Sequence, residues 1–161
     1  MPIDVTTVHP ADPATVHAVL TDEAFLRETT AALGAQLQAV SSDGTTTRVE
    51  MLAPTAGIPA VFARFVAREV AVTDVRRWHP DGDGWRCDVE VRTEVFGRTV
   101  EVLGERRLAG DGHGGTRSTL TAEARVDAPL VGRQAEGAVR QLIEVVLRRE
   151  ADQLDTRLAG G

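Results

Sequence analysis

Four histidines, one cysteine and a close Asp–Arg pair are the groups in this chain with the means to do chemistry: His9, His17, His79 and His113, Cys87, and Asp74 with Arg76. A zinc or non-haem iron site needs two or three such ligands converging, often with a carboxylate. The histidines are scattered and show no H-x-x-x-H spacing. Each is therefore expected at the surface or in a cap, and neither a metal nor a cofactor is assigned. Cys87 is the only cysteine, which excludes a disulfide framework or a thiolate zinc site within one chain. It falls on the apolar side of an alternating segment and reads as a small buried hydrophobe. A reactive thiol needs an electropositive, accessible setting.

Asp74 and Arg76 share a strand parity with Val72 and Trp78. If that side points inward, the pair would line a polar spot together with Arg106, whose parity matches Val100 and Val102. Such a spot would orient a ligand carboxylate or hydroxyl, or polarise a carbonyl. The competing reading turns these residues to water at a bulge or strand end, and it is favoured, because a slip of one residue inverts every side chain. Asp74 and Glu105 are the carboxylates that acid–base chemistry would use. Glycines at 82, 84, 110, 112, 114 and 115 fall in hairpin loops, and none opens a helix after a strand as a nucleotide cradle requires. Trp78 and Trp85 flank a turn. They read equally as a cross-strand pair or as cavity wall. Phe62 and Phe65 are expected in core packing.

The elements that must position these groups follow from periodicity. Ile3–His9 alternates and is rich in β-branched residues, so it reads as a strand. Asp12-Pro13 caps a helix over 13–20, and Asp22 caps a second one that Gly34 ends. A hairpin over 35–52 turns at Asp43-Gly44. A short helix is expected over 60–66. Four strands follow, over 69–79, 85–96, 98–108 and 116–128, each with one apolar and one polar face, as in an antiparallel sheet wet on one side. Val89 and Val91, Val100 and Val102, and Leu120 and Ala122 fall on the apolar faces.

Residues 129–158 read as one long helix, with Ala135, Ala138, Leu142, Val145 and Val146 in its apolar stripe. Its small residues Gly132, Ala135, Gly137 and Ala138 mark where a cavity would be roomy. Leu142, Val145 and Val146 mark where it would be sealed.

The bulk properties bound the function. With 161 residues, 42% hydrophobic and 26% charged, the chain is long enough for one globular domain spanning 1–161. Its net charge of −6 argues against nucleic-acid and anionic-membrane partners. Every basic residue is arginine. No apolar run is long enough to span a membrane, and no basic start precedes an apolar stretch, so the cytoplasm is expected.

The order strand, two helices, hairpin, short helical insert, four strands and long final helix resembles the helix-grip fold of the START-like, polyketide-cyclase-like (SRPBCC) superfamily. The opening VHPADPATVHAVLTDEAFLRE is similar to that superfamily's start. The segment IPAVFARFV and the Trp78/Trp85 pair resemble an uncharacterised actinobacterial family within it. The resemblance implies an α+β fold: a curved seven-stranded antiparallel sheet wrapped around a long C-terminal helix, with two short helices after the first strand. It further implies an apolar cavity between sheet and helix.

The expected function is binding of a small hydrophobic ligand, lipid-, sterol- or polyketide-like, without catalysis. Cavity-lining positions would be Val72, Asp74, Arg76, Trp78, Trp85, Val89, Val91, Val100, Val102, Arg106, Leu120, Ala122, Ala135, Ala138 and Leu142. The alternative is a cyclase- or hydrolase-like enzyme acting on an apolar substrate in the same cavity. A protein-interaction module is the third reading. The charged outer faces disfavour it, and a homodimer stays open.

Overall fold

A computed structural model of the chain describes residues 2–54, 69–95, 97–128 and 132–160. The expected helix over 60–66, with Phe62 and Phe65, lies outside these residues, as do positions 129–131 of the final helix. The element order is β1 (Pro2–His9), α1 (Pro13–Leu20), α2 (Glu23–Ala32), β2 (Gln36–Ser42), β3 (Thr46–Pro54), β4 (Glu69–Asp81), β5 (Gly84–Val95), β6 (Arg98–Gly110), β7 (Thr116–Val126) and α3 (Gly132–Gly160).

All seven strands form one curved antiparallel sheet in the order β1-β7-β6-β5-β4-β3-β2. β1 and β2 are neighbours in the chain but lie at opposite edges, so α1 and α2 must carry the chain across. The start and the middle of that crossing are tied: Thr116 Oγ1 donates to the Ala11 carbonyl at 2.7 Å, and Ser42 Oγ donates to the carbonyl of Thr21, between α1 and α2, at 2.5 Å. α1 starts where Asp12 Oδ1 accepts from the Thr15 amide at 2.7 Å, with proline at the first helical position. Asp22 precedes α2 as expected, but its carboxylate makes no cap bond. It accepts instead from Arg157 Nη1 of α3 at 3.0 Å, so tertiary contact wins over local capping.

The sheet's inner face follows from register. Thr47, Arg76, Val89, Gly104 and Ala122 lie side by side on β3 to β7. In the adjacent row Trp78 faces Cys87, Cys87 faces Arg106, and Arg106 faces Leu120. Gly104 is required where it stands. A Cβ there would lie 2.5 Å from the Ala122 Cβ, so only glycine lets β6 and β7 approach closely enough to curl around the helix.

α3 lies against β1 and β7 and touches both short helices. Leu147, Ala151 and Leu154 are its buried apolar residues, with Val139, Ile143 and Leu158 packed on the same core. This stripe is rotated from the one read in the sequence. Val145, expected to seal the cavity, is 49% exposed. Leu142 is half-buried. The buried positions of the helix lie in its C-terminal half, so that half sets the phase, and the small side chains of the N-terminal half have less apolar area to bury against it.

Candidate functional site

A buried ionic cluster lies between the sheet and α3. Alternation on β4 sends Asp74, Arg76 and Trp78 to one side, and that side is the inner one. Arg76 holds Asp74 through two parallel bonds of 3.2 Å, from Nε to Oδ1 and from Nη2 to Oδ2. Its third arm, Nη1, donates to Glu150 Oε2 of α3 at 2.8 Å. The other oxygen of Glu150 accepts from Arg106 Nη1 of β6, and Arg106 Nε donates to Ser118 Oγ of β7 at 2.9 Å. One carboxylate thus straddles β5 and pins the arginines on either side of it. The sequence reading that turned these residues to water is corrected: register is held by six antiparallel pairings, and the bulge present lies in β2, between Leu37 and Ala39.

The charges are affordable only together. Arg106 and Glu150 are 4% and 8% exposed, and a lone charge at that depth would be prohibitive. Two carboxylates and two guanidiniums cancel. Burial pushes the Glu150 carboxyl up, but Arg76 and Arg106, with their hydrogen bonds, outweigh it and bring it down to about 2. Arg76 is likewise driven down by burial and, more strongly, up by Asp74 and Glu150, ending above the usual arginine value. Glu150 went unrecognised in the sequence. The available signal was its position in the stripe Leu147, Glu150, Ala151, Leu154, where a carboxylate interrupts an otherwise apolar seam.

Beside this cluster opens a recess of about 50 Å³, room for more than one water and so more than a packing fault. Leu26 and Leu33 of α2, Val49 and Met51 of β3, and Val146 of α3 form its apolar walls. Asp74, Arg76 and Glu150 form its polar floor, and Arg149 and Gln153 stand at α3's edge of it.

The other expected lining residues are distributed differently. Val89, Val102, Leu120 and Ala122 are buried in the main core. Val72, Val91, Val100, Ala135, Ala138 and Leu142 are half-buried and do not touch the recess. Trp78 and Trp85 meet a third ring: His17 of α1 stacks on Trp85 at 3.6 Å and 2°, and meets Trp78 edge-on at 5.2 Å and 80°. Glu105 points outward and binds Arg107 Nε at 2.6 Å.

The histidine expectation is half corrected. His79 on β4 stays exposed and meets Asp88 at 3.2 Å, and His113 is exposed. His9 and His17 are buried. Among the described residues His17 Nε2 has no hydrogen-bond partner, and burial pushes its pKa below the usual histidine value. His9 faces inward on β1, where Nδ1 meets Asp155 Oδ1 at 2.7 Å and Nε2 meets Thr7 Oγ1 at 2.8 Å. That order, hydroxyl to imidazole to carboxylate, is also the order of an activated nucleophile, but Thr7 does not reach the recess, and the bonds tie β1 to the end of α3. Cys87 is fully buried and burial drives its thiol up to about 12, against the pull of Arg76 and Arg106. Among the described residues no three metal-ligating side chains converge, and no helix is long and apolar enough to cross a membrane.

The family model described as Protein of unknown function (DUF2505) matches residues 4–158. The chain belongs to the DUF2505 family. No curated protein sequence matches this DUF2505 chain. Its fold matches solved structures over nearly its whole length. The ZhuI aromatase/cyclase from Streptomyces sp. R1128 is 14% identical, with a TM-score of 0.63, over 98% of this chain and 92% of that one. A START superfamily protein from Mycobacterium smegmatis is 13% identical, with a TM-score of 0.56, over 99% and 97%. Norcoclaurine synthase from Thalictrum flavum, solved with dopamine and hydroxybenzaldehyde, is 13% identical, with a TM-score of 0.63, over 99% and 87%. The DUF2505 chain therefore has the START-like helix-grip fold anticipated from its element order.

Proposed function

We propose that this DUF2505 chain binds a small hydrophobic molecule, lipid-, sterol- or polyketide-like, between its sheet and its C-terminal helix. The observation that carries the reading is the recess itself: apolar walls from α2, β3 and α3 beside a pre-formed polar cluster. Such a combination, apolar walls with few fixed polar groups, is the general form of a small-molecule site. The recess admits one ring or a short chain, so it would take one end of a larger ligand. That solved structures of the same fold include an aromatase/cyclase and a synthase held with aromatic compounds supports the choice of ligand class.

The enzyme alternative draws less support. A general acid or base works best when its pKa lies near the operating pH. Glu150 is held far below that range, and both oxygens of Asp74 are engaged by Arg76. The interaction reading is weaker again, since the exposed large apolar residues among those described, Val8, Leu103 and Val145, form no shared patch on one strand row.

Native mass spectrometry of protein purified from its own host tests the proposal, with Val146→Trp as the control. A co-purifying apolar molecule, absent from a Val146→Trp variant that melts normally, is the expected result. A ligand retained equally by that variant would place binding elsewhere, and no ligand from host or from a lipid and polyketide panel would overturn the reading.

A further inference from the structure

Arg149 is the charged residue of the recess lining that the ionic cluster does not include. It lines the opening from α3, one residue before Glu150, and its side chain faces water. Among the described residues it has neither a carboxylate partner nor a hydrogen bond. The adjacent Arg148 is also exposed and without such a partner but does not line the recess, and the other arginines near the recess are paired. Arg140 pairs with Glu144, Arg157 pairs with both Asp22 and Glu28, and Arg76 and Arg106 share Glu150. The floor is electrically closed, because the charges of Asp74 and Glu150 cancel those of Arg76 and Arg106. A charge on a ligand would gain little there. At the opening, Arg149 leaves one positive charge uncompensated next to apolar walls of Leu26, Leu33 and Val146.

Resting on the ligand-binding reading above, we propose that the ligand is an amphiphile with a single anionic group, its apolar body between α2 and β3 and its anion on the guanidinium of Arg149. The fork of an arginine suits a carboxylate or a phosphate oxygen pair, and apolar walls beside it shield the contact from water. The overall charge of −6 gives such an anion no general attraction, so the local cation would have to do the recognising.

Three probes with one body and different heads test this: octanoate, octanol and octylammonium, titrated by calorimetry into the whole chain at low salt. Octanoate is expected to bind about tenfold tighter than octanol, the scale of one charge-assisted contact at a partly shielded site, and octylammonium weakest. Arg149→Gln should remove that preference and leave octanol binding unchanged, because the exposed residue supports no packing. Arg149→Glu should reverse the order of octanoate and octylammonium. Equal binding of octanoate and octanol to the native chain, or a preference that survives Arg149→Gln, would overturn the charge assignment while leaving the cavity reading intact. Failure of all three probes to bind would overturn both.

Discussion

Arg76 on β4 donates to Glu150 on α3 at 2.8 Å across 74 residues of chain. This bond, with the Arg106 contact to the other carboxylate oxygen, is the buried ionic lock between the sheet and the helix that covers it, while the His9–Asp155 bond ties the end of α3 to β1. Between them the buried contacts of α3 are apolar, and apolar contacts tolerate rotation or sliding. A carboxylate shared between two fixed guanidiniums does not.

Replacing Glu150 should therefore be costly. Glu150→Ala leaves two buried arginines, one of them with no remaining carboxylate, and is expected to lower unfolding free energy by about 3–5 kcal/mol. Glu150→Gln keeps the shape but not the charge, and should cost less. Urea denaturation measures both. A loss below about 1 kcal/mol for Glu150→Ala would mean that water reaches the cluster freely.

Acid should remove the same stabilisation. The Glu150 carboxyl lies at about 2 when folded, against 4.5 for a free one. Between those values the unfolded chain takes up a proton that the folded chain refuses, so stability falls as pH drops from 4.5 towards 2 and is complete above 4.5. The native chain and Glu150→Gln should thus differ most above pH 5 and converge on acidification. Thermal melts of the two from about pH 2 to 6 check this, and a constant difference would contradict the pairing.

His17 should make a separate, milder contribution. Its folded pKa lies below the free value of 6.5 because burial disfavours the imidazolium. The unfolded chain then binds the proton more readily, and stability present above the free value is lost as pH falls below it. His17→Phe keeps a ring on Trp85 and removes the unpartnered Nε2. It is expected to match or exceed the native stability at neutral pH by about 1 kcal/mol, and to lose less than the native chain between pH 7 and 5. Melting temperatures of both across that range decide it.

Cys87 should be silent in the folded state. It is fully buried and its thiol is pushed up to about 12. An aromatic disulfide reagent at pH 8 is expected to label it only as fast as the chain opens, and labelling should accelerate in Glu150→Ala in step with lost stability. Rapid labelling of the native chain would show an access route to the β5 core.

Much of this architecture is legible in the sequence because it rests on local rules. Strict alternation in β5 and β6, the Asp12-Pro13 cap and the Asp43-Gly44 turn, whose glycine takes φ +86°, each act within a few residues. The element order then leaves few ways to cover an apolar sheet face. The site is less legible for the same reason. Asp74 and Arg76 could be placed on one face but not aimed, since a shift of one residue would invert them and only the pairing with β3 and β5 fixes it. Glu150 was not singled out and His9 was expected at the surface or in a cap, because the partners that make their burial tolerable lie 74 and 146 residues away.

By itself, then, the sequence determined the strands, their two-faced character, the small helix pair and the covering helix, all consequences of periodicity and capping. Tertiary structure alone decided the rotation of α3 about its axis, the inward aim of Asp74, Arg76 and Arg106, and the unpaired position of Arg149 at the recess. Those depend on which distant charges meet. Electrostatic balance in a buried site is a property of the assembled set, and no single segment carries it.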